Sequence, residues 1–302
     1  MHDLGIKLTH PALGHSGYMQ SSSKFSKALA WFASQVEFAT TQQSITKRAR
    51  KTYCIFITPR SGSTWLANEI AKFEVIGHPN EFFNANEFRN SLRHNPSSDL
   101  VDYWANVKSK MMSKTGVIGF QISYFDLQEL ESDISLLSLM DGERSFIYLN
   151  RQNLAAQAVS LYIAYETKTF HAVANERHPN IAETLIVPYN GEKIKFWACH
   201  ILQQEYGIES WIRANDVNVL RIQYESMIAE IDSVIRRIAD WVGVDLGQRD
   251  PGLVPTNRIM STRMNSEYCQ KFLQENPLWY GKWSRLRGSE PCPWDGDWPF
   301  KD

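Results

Sequence analysis

The run YCIFI at residues 53–57 leads straight into TPRSGST at 58–64, and few junctions restrict a chain more. Consecutive apolar residues rich in aromatic and β-branched types, with no alternation, predict a strand buried on both faces. The small residues that follow predict a tight loop. From Ser63 onward Trp65, Leu66, Ile70 and Phe73 recur along one side of a helix expected over 63–73. A buried strand, a short loop and a helix N-terminus aim several backbone N–H groups at one point, and the guest that fits is an anion. Gly62 permits close backbone approach, Ser61, Ser63 and Thr64 offer hydroxyls, and Arg60 adds a charge able to fork across two oxygens. An ordinary strand-to-helix turn with a Ser or Thr cap is the plainer alternative.

The same period of buried strand and helix continues along the chain. Further strands are predicted at 117–122, 146–150 and 217–222, and helices at 153–165, 194–206 and 227–242, the last with Ile228, Ile231, Ile235 and Ile238 at helical spacing. Such alternation predicts an α/β fold with a central, doubly wound parallel sheet flanked by helices. Residues 1–50 read as an N-terminal extension with a weak helix over 23–41, residues 51–275 as the main domain, and 276–302 as a Trp-rich C-terminal tail packed on it. The tail is punctuated by Pro and Gly, which predicts irregular structure. Its Trp279, Tyr280, Trp283, Trp294 and Trp298 suit stacking on a flat ligand and suit packing equally. Residues 170–190 read as a loop, in which His171 and His178 are expected to be solvated.

Composition excludes several classes. Lys plus Arg total 32 against 33 for Asp plus Glu, so a net charge of −1 leaves no broad basic surface for nucleic acid or anionic lipid. Any bound anion must meet basic residues placed locally. Cys54, Cys199, Cys269 and Cys292 are scattered, without the spacing of a zinc site, and fit a reducing compartment. No leader-like apolar segment and no run of about 18 apolar residues is present, so a cytoplasmic protein is expected.

The loop lacks the Gly-Lys-Ser/Thr of a nucleoside triphosphatase, and with it the lysine that meets β- and γ-phosphates. A transferred group bearing one negative charge needs less cationic help, and a sulfuryl group has that property. TPRSGSTWL at 58–66 resembles the 5′-phosphosulfate loop of sulfotransferases that use 3′-phosphoadenosine 5′-phosphosulfate, PAPS. GHPNEFF at 77–83 and RQNLAAQAVSLYIA at 151–164 are similar to two further elements of the bacterial family typified by trehalose 2-sulfotransferase. Weaker echoes are VIGFQIS at 117–123, QYESM at 223–227 and STRMNSEYCQKF at 261–272. Asn153 stands where the family usually has Asp, and Gln121 where Lys is common.

The resemblance implies roles. Arg60, Ser61, Gly62, Ser63, Thr64 and Trp65 would hold the donor's 5′ side, and Arg151 with Ser160 its 3′-phosphate, with Arg263 a further contact. Arg151 also follows the strand at 146–150, on the edge of the sheet where doubly wound folds bind ligands. Glu81, set among Pro79, Phe82 and Phe83, is expected to be the general base that takes the acceptor hydroxyl's proton, with His78 its rival. Glu225 is expected to fix a loop or cap a helix. The implied activity is metal-free, in-line transfer from PAPS to a carbohydrate, a glycolipid precursor or another small hydroxylated metabolite. Relatives are often homodimers, although the sequence marks no interface. A P-loop kinase and a non-catalytic nucleotide-binding protein are the alternatives.

Overall fold

The computed structural model describes residues 22–35, 48–169, 187–247 and 263–294. Four strands, β1 (Lys51–Ile57), β2 (Val117–Ser123), β3 (Glu143–Asn150) and β4 (Val219–Gln223), form one parallel sheet in the order β2-β1-β3-β4. The chain runs outward from β1 to β2, returns to β3 on β1's other side, and then proceeds to β4. The direction of winding therefore reverses between β1 and β3, and the crevice past their carboxyl ends is where such a sheet offers a ligand site.

Alternation along each strand divides the core. Cys54 and Phe56 of β1, Ile118, Phe120 and Ile122 of β2, and Phe146 and Tyr148 of β3 face one way. Tyr53, Ile55 and Ile57, together with Ile147 and Leu149, face the other. The first face is covered by α1 (Lys24–Gln35), α3 (Phe88–His94), α4 (Leu100–Met111), α5 (Tyr124–Glu131) and α6 (Leu136–Leu139). The second lies under α2 (Ser63–Ala71) and α9 (Tyr224–Val242). A third apolar cluster binds α7 (Leu154–Thr167), α8 (Gly191–Ala214), α10 (Arg263–Glu275) and α11 (Pro277–Leu286).

Sequence and structure differ at the ends. β3 starts at Glu143, ahead of the predicted start at 146, because its first residues are exposed and carry no apolar signal. The helix of the N-terminal extension is described over Lys24–Gln35, and the remainder of its predicted span lies outside the described residues, as do His171 and His178. This helix is part of the core: Phe25 is fully buried and meets Phe88 edge-on at 4.8 Å and Phe83 at 6.5 Å. Each such ring pair adds about 0.5–1.5 kcal/mol beyond burial itself. The irregular tail is a correction. Pro277, at the first position of a helix that does not need its N–H, opens α11. Its tryptophans pack: Trp283 is buried, Trp279 meets Phe272 at 6.1 Å, and Trp294 meets Phe196 at 5.3 Å. Trp298 lies outside the described residues. Among the described residues no helix is long and apolar enough to cross a membrane.

One close approach at the centre of the sheet can be tested directly. Gly119 stands opposite Tyr53 in the β1–β2 register, and a Cβ at 119 would lie 2.0 Å from the ring's Cζ. Gly119→Ala should therefore lower stability in urea by about 1–3 kcal/mol, the usual cost of overpacking. An unchanged midpoint would show that the ring has room to move.

Candidate active site

β1 ends at Ile57 and the chain turns over Thr58–Gly62 into α2. Two residues take left-handed backbone angles, Arg60 at φ 62° and Gly62 at φ 89°. Gly62 has a reason to be glycine beyond its φ. A Cβ there would lie 2.6 Å from Cδ2 of Tyr224. Among the described residues no side chain caps the N-terminus of α2, which leaves the N–H groups of its first turn open to an outside acceptor. The loop is fixed from behind by Gln157 of α7, whose Nε2 donates to Thr58 Oγ1 at 2.9 Å and to the Pro59 carbonyl at 2.7 Å.

The structure brings Arg60, Arg151 and Ser160 together. Arg60 Nε donates to Ser160 Oγ at 3.0 Å, and Arg151 Nη1 approaches the Arg60 carbonyl at 3.5 Å. Burial pushes the Arg60 guanidinium below its ordinary range, and the neighbouring Arg151 charge pushes it further. Arg151 is also lowered by burial, against the pull of Tyr224 and Glu225. Around them, Ser61 Oγ, Arg151 Nε and Trp65 Nε1 are buried without a hydrogen-bond partner among the described residues. Buried donors are nearly always satisfied, and these three fall on two neighbouring segments, Ser61 and Trp65 at the start of α2 and Arg151 directly after β3. Ser63 is half-buried and Thr64 exposed at the mouth of the loop.

The sequence reading missed Tyr224. Its ring lies under the Arg151 guanidinium, 4.6 Å from Cζ, and meets Trp65 edge-on at 6.2 Å, so it floors the loop. Its signal was within reach, in QYESM beside Glu225. Glu225 does fix a loop, accepting from Gln152 N at 2.9 Å and Asn153 N at 3.1 Å. Asn153 caps α7 in place of the usual Asp by accepting from Ala156 N at 2.9 Å. Gln121 has a structural role as well. Its Nε2 donates to the Ser63 carbonyl at 3.0 Å while its backbone N–H takes the Asn80 carbonyl at 2.9 Å. One residue of β2 thereby ties the segment bearing Glu81 to the start of α2.

Glu81 is half-buried, and its carboxyl is raised above the ordinary range by burial and by the charge of Asp126, against a hydrogen bond from Asn84 at 3.3 Å. Asp126 is itself raised by burial and accepts from Ser123 Oγ at 2.5 Å and Ala85 N at 2.9 Å. Burial lowers His78, which favours its neutral form. Arg263 is not among the side chains brought together. It opens α10 with its side chain 93% exposed, paired to Glu267 at 2.7 Å.

The Stf0 sulphotransferase family model matches residues 109–275, more than half of the chain. The chain belongs to the Stf0 sulfotransferases. The matched span holds Gln121, Arg151, Ser160 and Tyr224, and begins after the anion loop and Glu81. Trehalose 2-sulfotransferase of Mycobacterium tuberculosis (strain ATCC 35801 / TMC 107 / Erdman) is 19% identical over 269 residues, covering 76% of this chain and 97% of that protein. Two solved structures are similar at low TM-score. The sulfotransferase domain of the Synechococcus PCC 7002 olefin synthase gives 0.41, with 14% identity over 77% of this chain and 98% of that one. The mouse sulfotransferase SULT7A1 complexed with PAP gives 0.40, with 15% identity over 91% and 99%. A Stf0 member is a transferase that moves a sulfuryl group.

The contact between Gly62 and Tyr224 yields a prediction. Gly62→Ala should cost about 1–3 kcal/mol from backbone strain and the clash with the ring. Adding Tyr224→Ala should return part of that loss, with a coupling of about 0.5–3 kcal/mol in a double-mutant cycle. Zero coupling in urea titrations would remove Tyr224 from the floor of this Stf0 loop.

Proposed function

We propose that the chain transfers a sulfuryl group from PAPS to a hydroxyl of a carbohydrate or another small hydroxylated metabolite, without a metal ion. The observation that carries this reading is the meeting of Arg60 and Arg151 beside an uncapped helix N-terminus, with the buried donors of Ser61, Arg151 and Trp65 unsatisfied. Two cationic forks suit a donor with phosphate groups at two positions. Arg60 and the N–H groups of α2 serve the 5′ side, and Arg151 with Ser160 the 3′-phosphate. The loop carries no Walker lysine, which favours a transferred group of single charge over a γ-phosphate. The name of the Mycobacterium tuberculosis relative supports a sugar hydroxyl as acceptor.

Each residue then has a task. Glu81 takes the proton of the attacking hydroxyl as the new S–O bond forms and the bond to the 5′-phosphate breaks. Its raised pKa makes it a better base than an exposed carboxylate. Arg60 and the loop N–H groups stabilise the charge that grows on the leaving oxygen. Gln121 keeps the base and the loop in one register through its two hydrogen bonds.

Calorimetry tests the donor. PAPS should bind more tightly than adenosine 5′-phosphosulfate, which lacks the 3′-phosphate, by roughly 2–4 kcal/mol or about 30- to 1,000-fold. Equal binding would defeat the assignment of Arg151 and Ser160. Turnover should survive excess chelator. Transfer of label from the γ-phosphate of ATP would make the chain a kinase, and binding without any turnover across hydroxylated metabolites would leave a nucleotide-binding protein.

Glu81 makes a prediction with two signs. Glu81→Gln should lower kcat by about 10²- to 10⁴-fold, while His78→Ala should cost less than about tenfold. Because its folded pKa is raised, Glu81 favours the folded state below its unfolded pKa and loses that contribution as pH rises through the folded value. The glutamine variant should thus match or exceed the wild type in thermal stability above that pH. The wild-type rate should fall below the same raised pKa, and the variant should lack that limb. An active Glu81→Gln beside a dead His78→Ala would transfer the base role to the histidine.

A further inference from the structure

Arg287 lies beyond the span matched by the family, in the turn that ends α11. Its guanidinium is nonetheless held at four places. Nε donates to Glu205 Oε2 at 2.8 Å and Nη2 pairs with Glu205 Oε1, while Nη1 donates to the Gln152 carbonyl at 2.7 Å and Nη2 to the Arg151 carbonyl at 2.8 Å. Glu205 is a buried carboxylate on α8. The acceptors therefore come from one helix and from the loop that carries Arg151. The same loop is held on its N–H side by Glu225, which accepts from Gln152 N and Asn153 N.

From this geometry we infer that Arg287 is a positioning residue for donor binding. It fixes the carbonyls of Arg151 and Gln152 while Glu225 fixes the amides of Gln152 and Asn153, so the Arg151 side chain is presented from a backbone clamped on both edges. The inference rests on the donor reading of Arg151. Several features show that the clamp is built in. Arg287 follows α11, which buried Trp283 seats in the α7–α8 layer. Gly288 turns at φ 71°, where a Cβ would lie 2.8 Å from Glu209 Cγ, and Ser289 N and Glu290 N return to the Leu286 carbonyl. Arg287 is thus aimed inward by a closed turn. A fork with five N–H donors can satisfy one carboxylate and two carbonyls at once, which a lysine ammonium cannot do in the same plane.

The test compares the wild type with Arg287→Met and Arg287→Lys, each first shown to fold by circular dichroism. Hydrogen exchange reads the amides of Gln152 and Asn153, and calorimetry reads affinity for 3′-phosphoadenosine 5′-phosphate. Arg287→Met should speed exchange at those two amides and weaken the nucleotide by about 10- to 100-fold, the scale on which misplacing a remote group acts. The kinetic loss should fall on KM for PAPS more than on kcat, and preference for PAPS over adenosine 5′-phosphosulfate should shrink. Arg287→Lys should lie between, and it carries the test if the methionine variant does not fold. Unchanged exchange at Gln152 and Asn153, or faster exchange with unchanged nucleotide affinity, would overturn the inference. A wild type that binds no nucleotide would instead defeat the donor reading, with exchange at the two amides still deciding whether Arg287 holds the loop.

Discussion

The Arg151 guanidinium reaches the backbone carbonyl of Arg60 at the carboxyl edge of this sheet, and much of the local structure holds these two like-charged residues there. Arg151 approaches the carbonyl of Arg60, and both lose part of their preference for charge through burial. Free in solution such groups would separate. Here each is anchored through its backbone at the end of a central strand: Arg60 at a left-handed position just after β1, and Arg151 directly after β3. Since β1 and β3 are hydrogen-bonded neighbours, the topology sets the distance between the loops. The winding of the sheet reverses between those two strands, so no crossover closes over the crevice.

The other contacts hold the remaining parts to this pair. Gln121 carries the order outward to β2, joining the first residue of α2 to the segment that bears Glu81. Glu225, Tyr224 and Arg287 carry it toward β4 and the C-terminal layer. Apolar packing alone would leave side chains at a crevice free to choose among rotamers. Hydrogen bonds to backbone carbonyls and amides remove that choice, because a lost partner inside the protein costs more than the bond contributes. The site is thus fixed mainly through its backbone.

The strands, the loop after β1 and the nearness of Arg60, Arg151 and Ser160 were legible because each belongs to a local pattern. Five apolar residues before a Pro-Arg-Ser-Gly loop can be read within a dozen positions. What was not legible is the set of ties between distant segments. Gln121 and Ser63 are 58 residues apart, and Arg287 and Gln152 are 135 apart. No periodicity encodes such a meeting. Gln121 stands where Lys is common in the family, and its use shows only in the fold, where its amide donates to the Ser63 carbonyl. The helix α11 was hidden by Pro and Gly, residues that commonly end helices but here open and follow one. Tyr224 was hidden by its neighbour, since a glutamate draws attention in a search for chemistry and a tyrosine at a helix start does not.

Several unfavourable features belong to the segments that follow β1 and β3. Arg60 takes a left-handed conformation, the guanidiniums of Arg60 and Arg151 are both lowered by burial, and Ser61 Oγ, Arg151 Nε and Trp65 Nε1 lack a hydrogen-bond partner among the described residues. Away from these segments, Lys108 pairs with Asp141, Arg221 with Glu209 and Lys193 with Glu166. Charge in the scaffold is thus matched pair by pair. Strain of this kind persists only when the surroundings over-determine it. On the proposed reading, an anion that satisfied those donors would add its binding free energy to the stability of the fold by mass action. On the same reading, the hydrogen bonds from Gln157, Glu225 and Arg287 that hold the backbone of both loops would leave little reorganisation to oppose binding.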